Sequence, residues 1–229
     1  MLAVICVVTT MIAQSAAIGS SVARLNQINR GSGLIPVFNL RNADIKGSKF
    51  LNDTYTEGDV WLTNNRHYGK EYKYKFDEEN NAVQILYKDG KELQLMTYEI
   101  EIVKLYIDSS TITYFKAEVP NEKGIHRLFQ VLFVGKRYTL LKLPCKKLVK
   151  NDNSGGYASA ESSREYIPTH RYYLQIDEKP FKEIKMTKRS LLKSMPHKKS
   201  ALQELFEDHT GDIMDYEIAE LLEETEPKG

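Results

Sequence analysis

Between residues 47 and 186 the apolar positions recur every second residue, and after Met186 they recur every three or four. Side chains alternate across a strand and line one stripe of a helix, so the first stretch predicts β-structure and the second a helical tail. The longest apolar pattern is Ile125 to Val149, IHRLFQVLFVGKRYTLLKLPCKKLV. It predicts two strands folded back at Val134-Gly135-Lys136-Arg137. In the first arm Leu128, Gln130, Leu132 and Val134 share one side, and Phe129, Val131 and Phe133 share the other. Both sides are mostly apolar, which predicts a central hairpin covered from two directions, by a meander sheet on one side and the helical tail on the other. Pro144 lacks a backbone donor and ends the second arm, Tyr138 to Leu143. Lys146, Lys147 and Lys150 beyond it predict an exit into water.

Upstream, Tyr72, Tyr74 and Phe76 alternate with Lys73 and Lys75, a strand with one wet face, and Asp77 to Asn81 reads as a polar turn. Val83, Ile85 and Tyr87 alternate again, Asp89-Gly90 supplies a hairpin turn, and Leu93, Leu95 and Ile100 to Ile107 continue the meander. Thr111 to Val119 is a further strand before the turn Pro120 to Gly124. Ile35 to Phe38 reads as a short edge strand, Glu57 to Thr63 as the first strand of the domain, and Tyr166 to Ile176 as one resumed strand. The low-complexity stretch Asn151 to Ser163 reads as a loop, mobile or functional. In the tail, three apolar faces follow in turn: Leu191, Leu192 and Met195; Ala201, Leu202, Leu205 and Phe206; Ile218, Leu221 and Leu222. Thr187 is placed to cap the first helix, Gly211 to end the second and Asp212 to start the third. The predicted fold is therefore mainly β, an antiparallel meander forming a sandwich or open barrel, with a short α-helical C-terminal tail. Residues 18–46 form a lead-in expected to be flexible, 47–186 the β-rich domain and 187–229 the tail.

The chain has 229 residues, 41% hydrophobic and 28% charged, enough for a sizeable core. Its 14 tyrosines and 8 phenylalanines agree with the β reading. A formal net charge of +1 provides no global field to gather nucleic acid, and none is expected as a partner. Charge is uneven along the tail: Lys182, Lys185, Lys188, Arg189, Lys193, Lys198 and Lys199 precede a strongly acidic stretch from Glu204 to Glu226. Solvated helix faces are the ordinary explanation, a local binding patch is the alternative, and the opposite signs can also simply attract one another.

Leu2 to Ala17, LAVICVVTTMIAQSAA, is uncharged and apolar and ends in small residues, the pattern of a secretory signal peptide over residues 1–17, although no Lys or Arg precedes it. It is short for a membrane crossing, which needs roughly 20 apolar residues, so no transmembrane span is expected once it is removed. The expected location is periplasmic or extracellular. Removal of Cys6 would leave Cys145 alone, a small buried hydrophobe by default, with no disulfide and no structural zinc signature.

GSKFLNDTYTEGDVWL at 47 to 62 and IKMTKRSLLKSMPHKKSALQELFEDH at 184 to 209 resemble uncharacterised exported proteins of Bacteroidota. In that group a Gly-Ser-x-aromatic-Leu element precedes a meander, a Gly-Lys hairpin follows, and Lys-rich helices close the chain. The resemblance implies a β-rich domain and an exported location and carries no activity or functional residue.

Candidate chemistry is sparse. His67, His126, His170, His197 and His209 are scattered, and no Gly-x-Ser-x-Gly, His-Glu-x-x-His or phosphate-binding loop occurs. Glu99 and Glu101 would share a strand face and could act as an acid/base pair in glycoside cleavage, but a solvated face explains them as well. No catalytic residue, cofactor or metal is expected. The aromatic residues Trp61, Tyr72, Tyr74, Tyr166, Tyr172 and Tyr173, with His170, are the candidates for contacting a ligand or partner, although cross-strand packing accounts for them too. The leading expectation is a non-enzymatic exported protein that binds or builds the cell envelope. A lipid or sugar carrier with an apolar cavity between sheet faces is the alternative, and an envelope-polymer hydrolase is third.

Overall fold

The computed structural model describes residues 45–151, 163–208 and 213–226. The signal-like segment 1–17, the proposed edge strand at 35–38, most of the 151–163 loop, and the cap positions Gly211 and Asp212 lie outside the described residues.

The alternating segments form strands in three sheets. Eight of them make an open central sheet: β2 (Glu57–Leu62), β3 (His67–Tyr68), β7 (Ile100–Ile107), β8 (Ser110–Glu118), β9 (His126–Val134), β10 (Tyr138–Leu143), β13 (Arg171–Ile176) and β14 (Lys182–Ile184). Their order is β14-β13-β10-β9-β8-β7-β2-β3, antiparallel throughout, so the sheet has two free ends and does not close into a barrel. The meander β4 (Lys73–Asp77), β5 (Ala82–Leu86) and β6 (Glu92–Leu95) forms a second sheet. The third joins β11 (Lys146–Asn151), β12 (Ser163–Pro168) and β1 (Ile45–Lys46), which runs parallel to β12. Three helices close the chain: α1 (Lys188–Ser194), α2 (Lys199–Asp208) and α3 (Asp215–Thr225). The fold is thus mainly β with a short helical tail, layered like a sandwich.

The central hairpin β9–β10 is covered twice, but differently from the expectation. Leu128 packs with Val60, Leu62, Val103, Leu105 and Tyr114 against Tyr74, Phe76, Val83 and Ile85 of the meander sheet. Leu132, Tyr138 and Leu140 pack with Leu191, Leu202, Ile218 and Leu222 of the helices. Gln130, two residues from Leu128, pairs with Lys142, and Leu140 lies two residues from Lys142 on the unbulged strand, so Leu128 and Leu140 point the same way. Meander sheet and helices therefore divide one face of the central sheet between them. The opposite face carries its own cluster of Val119, Phe129, Leu141, Leu143 and Tyr173. Phe133 leaves that face: the ladder pairs Leu140 with Phe133 and Leu141 with Val131, so Leu132 is an extra, bulged residue and Phe133 swings in beside the helices.

Two further corrections have one cause, the bend at Pro144. Tyr166 to Ile176 is two strands, broken at Thr169-His170. The lysines after Pro144 belong to strand β11, where Lys147 and Lys150 are exposed as expected but Lys146 is drawn in to a 3.0 Å ion pair with Glu78. Continuing the β9–β10 register would set Pro144, with no N–H, opposite Leu128. The side chain of Asn81 fills the gap: its Nδ2 donates to the Leu128 carbonyl at 3.0 Å and its Oδ1 accepts from the Leu128 N–H at 2.7 Å. The polar turn Asp77 to Asn81 is present, and its two ends hook into the fold: Asp77 is wholly buried on Lys49 at 2.7 Å and Asn81 is buried at φ +50°, while Glu79 and Asn80 are exposed. Glu99 sits in a 3-10 turn before β7, so Glu99 and Glu101 do not form a strand-face pair.

In the tail, Thr187 occupies the N-cap position of α1 without a side-chain cap bond, and α3 begins after Met214, whose N–H donates to Glu217 at 2.7 Å. The end of α3 is tied to the hairpin turn. The buried carboxylate of Glu226 accepts from the backbone N–H groups of Lys136 at 2.7 Å, Arg137 at 3.3 Å and Tyr138 at 3.0 Å. Gly135 leaves room for it, since a Cβ there would collide with that carboxylate and with the Phe133 ring.

Candidate functional site

On β2, Val60 and Leu62 enter the core, so alternation turns Asp59 and Trp61 to the face away from the meander sheet. The edge strand β3 sets His67 directly beside Trp61, and β7 sets Ile102 on its other side. Continuing across the sheet, Ile102 pairs with Phe115 and Phe115 with Phe129. One cross-strand row, His67, Trp61, Ile102, Phe115, Phe129, thus crosses five strands. Phe129 is buried, Trp61, Ile102 and Phe115 are half-buried, and His67 is exposed.

The open end of the row is held by polar contacts. The His67 ring stacks on Trp61 with centroids 4.8 Å apart and planes 25° apart. Its Nε2 lies 2.7 Å from Asp59 Oδ1, while the Tyr106 hydroxyl donates to Asp59 Oδ2. That bond, with burial second, pushes the Tyr106 pKa up to about 12, so the phenol stays protonated. Lys104 lies over the Trp61 ring at 5.4 Å and Lys70 over the Tyr106 ring at 5.2 Å, both favourable cation–π placements. Gly69 lies close against the pair: a Cβ there would come 2.9 Å from Glu71 Oε2, the movable end of a side chain, and 3.3 Å from His67 Cε1. With Nε2 held by the carboxylate, Nδ1 is the ring nitrogen of His67 left for another partner.

Of the aromatic candidates, only Trp61 belongs to this cluster. Tyr74 is wholly buried in the core between the sheets, its hydroxyl donating to the Gly69 carbonyl at 3.0 Å, and Tyr72 packs edge-on to Tyr68 and Tyr87. Tyr173 is buried edge-on to Phe129 under Arg171, which bridges Glu122 and Glu183. Tyr166 donates to Glu79 at 3.1 Å. Tyr172 and Lys142 both reach Asp215 at the start of α3, at 3.3 and 2.8 Å. His170 Nδ1 accepts from the Cys145 N–H at 3.1 Å across the bend, so these residues brace the fold. Burial raises the Cys145 thiol pKa, the opposite of what a nucleophile needs.

Asp59, His67 and Tyr106 were not among the candidates. Trp61 and Asp59 are two apart in sequence and legible as a strand face, but His67 and Tyr106 reach them only through pairing. Among the described residues no group of three or more His, Cys, Asp or Glu is placed to hold a metal ion, and no helix is long and apolar enough to cross a membrane. No protein-family model, curated protein or solved structure matches this chain.

Proposed function

We propose that this chain is an exported, non-enzymatic scaffold that binds a protein of the cell envelope across the outer face of its central sheet. The observation that carries the reading is the row His67, Trp61, Ile102, Phe115, half-buried at its centre and locked by Asp59 and Tyr106. Rigid aromatic anchors flanked by charged side chains are the composition of interface hot spots. A carrier draws less support, because the space between the two sheets is filled by Tyr74, Phe76, Tyr114 and Ile85.

Trp61 is the only tryptophan, so its fluorescence reports directly on this face. Addition of envelope-protein fractions should shift it, and the protein recovered with the wild type should be lost with Trp61→Ala and Phe115→Ser at unchanged secondary structure. Equal recovery with all three would sink the proposal. The His67–Asp59 pair favours one second reading, hydrolysis of an envelope polymer with His67 as general base. His67→Gln should then abolish turnover of a peptidoglycan or glycan substrate while the fluorescence response survives. Export itself is tested by fractionation: full-length chain retained in the cytosol would refute it.

A further inference from the structure

The tail separates its charges by face. Lys182 and Lys185 lie on or just after the edge strand β14, Arg189 and Lys193 fall on one outward arc of α1 at 100° per residue, and Lys188 at the edge of that arc lies over the Phe206 ring of α2 at 5.6 Å. Lys199 opens α2. All six cations are exposed, and none forms an ion pair among the described residues. The acidic counterpart is close by. Glu204 and Glu207 are exposed on α2, and Glu220, Glu223 and Glu224 are exposed on the side of α3 opposite its buried Ile218, Leu221 and Leu222. These five carboxylates are equally without ion-pair partners among the described residues. Helix α1 packs on α2 and α2 on α3, while Lys198 donates to the Thr225 carbonyl at 2.6 Å, holding the two faces in a fixed relation. The fold keeps these opposite charges apart instead of pairing them.

We propose that the chain associates with a second copy of itself through this tail, the basic β14–α1 face of one copy lying on the acidic α2–α3 face of the other. Adjacent faces of opposite sign are self-complementary, and a two-fold axis matches each with its opposite twice. A foreign polyanion meeting the basic face would also meet the acidic face beside it. The net charge of +1 leaves little repulsion between copies. Lysines along the edge strand β14 are a usual protection against edge-to-edge pairing of two such strands. The contacts are surface charges, so association is weak and salt-sensitive, with a screening length of roughly 10 Å at 0.1 M salt.

Sedimentation velocity of the full chain tests this. At low salt the wild type should sediment as a concentration-dependent dimer, and its association constant should fall at least about tenfold on moving to 0.5 M salt. The triple variant Lys185→Glu, Lys188→Glu, Lys193→Glu should be monomeric by itself, as should Glu220→Lys, Glu223→Lys, Glu224→Lys. An equimolar mixture of the two, each folded by circular dichroism, should regain a dimer. A monomeric wild type at low salt, a dimer indifferent to salt or to either triple reversal, or a mixture of folded variants that stays monomeric would each overturn the proposal. A wild type that binds anionic vesicles or polyphosphate while remaining monomeric overturns it as well.

Discussion

Replacing Glu226 tests how the helical tail is held to the sheet. Its carboxylate accepts from three successive N–H groups in the β9–β10 turn, the two shorter bonds at 2.7 and 3.0 Å. Hydrogen bonds to a charged acceptor contribute about 1.5–3 kcal/mol each, and a buried donor left unpaired costs about 1–3 kcal/mol. In Glu226→Ala, water can reach the N–H groups of exposed Lys136 and Arg137, but Tyr138 is buried. The expected loss is therefore about 2–4 kcal/mol, less than the sum of three separate bonds. For a protein of this size each kcal/mol moves Tm by about 2–4 °C. Glu226→Gln keeps one acceptor oxygen and should lose about half as much. Gly135→Ala should act through the same contact by forcing the carboxylate out, so the double variant should be no worse than the poorer single one. Urea unfolding and amide exchange at residues 136–138 report the two effects, with exposed Glu223→Ala as a control expected within about 0.5 kcal/mol. A Glu226→Ala loss below about 1 kcal/mol, or additive losses in the double variant, would refute the latch.

Asn81→Gly keeps the positive φ and removes both bonds to Leu128, and should cost about 3–5 kcal/mol in denaturant unfolding. His170 should make stability fall in mild acid. Burial, then Lys142, with Lys146 adding, lowers its pKa against the opposing pull of Glu78 and Asp215, so the unfolded chain takes the proton first. Its contribution is full above about pH 6.5 and is lost as pH falls from there through the lower folded value, and His170→Asn, which retains an acceptor for the Cys145 N–H, should flatten that part of the stability–pH curve. Tyr114→Phe removes a buried hydroxyl without a hydrogen-bond partner among the described residues, and thermal unfolding should show a change between zero and about 1 kcal/mol of stabilisation.

The period-of-two pattern was sufficient to read the meander, the central hairpin and the switch to helices, because those features depend on neighbours in sequence. On β2 the same alternation turns Trp61 outward once Val60 and Leu62 are in the core. The rest of the candidate site depended on partners far along the chain: Tyr106 comes to Asp59 from β7 across 47 residues. The burial of Asn81 at the end of the polar turn was not legible in the sequence for a related reason. Polar residues usually mark exposed turns, and only the missing donor of Pro144, brought near by the fold, makes a buried carboxamide the better partner for Leu128.

By itself the sequence determined the class of fold, the position of its spine at β9–β10, and the uneven charge of the tail, all of which are local periodicities or compositions. Tertiary structure alone decided that meander and helices share one face of the sheet, that a bulge at Leu132 moves Phe133 between clusters, and that Glu226 closes the hairpin turn. Alternation assigns side chains to two faces of a strand, but which face is covered, and by what, depends on contacts between residues separated by most of the chain.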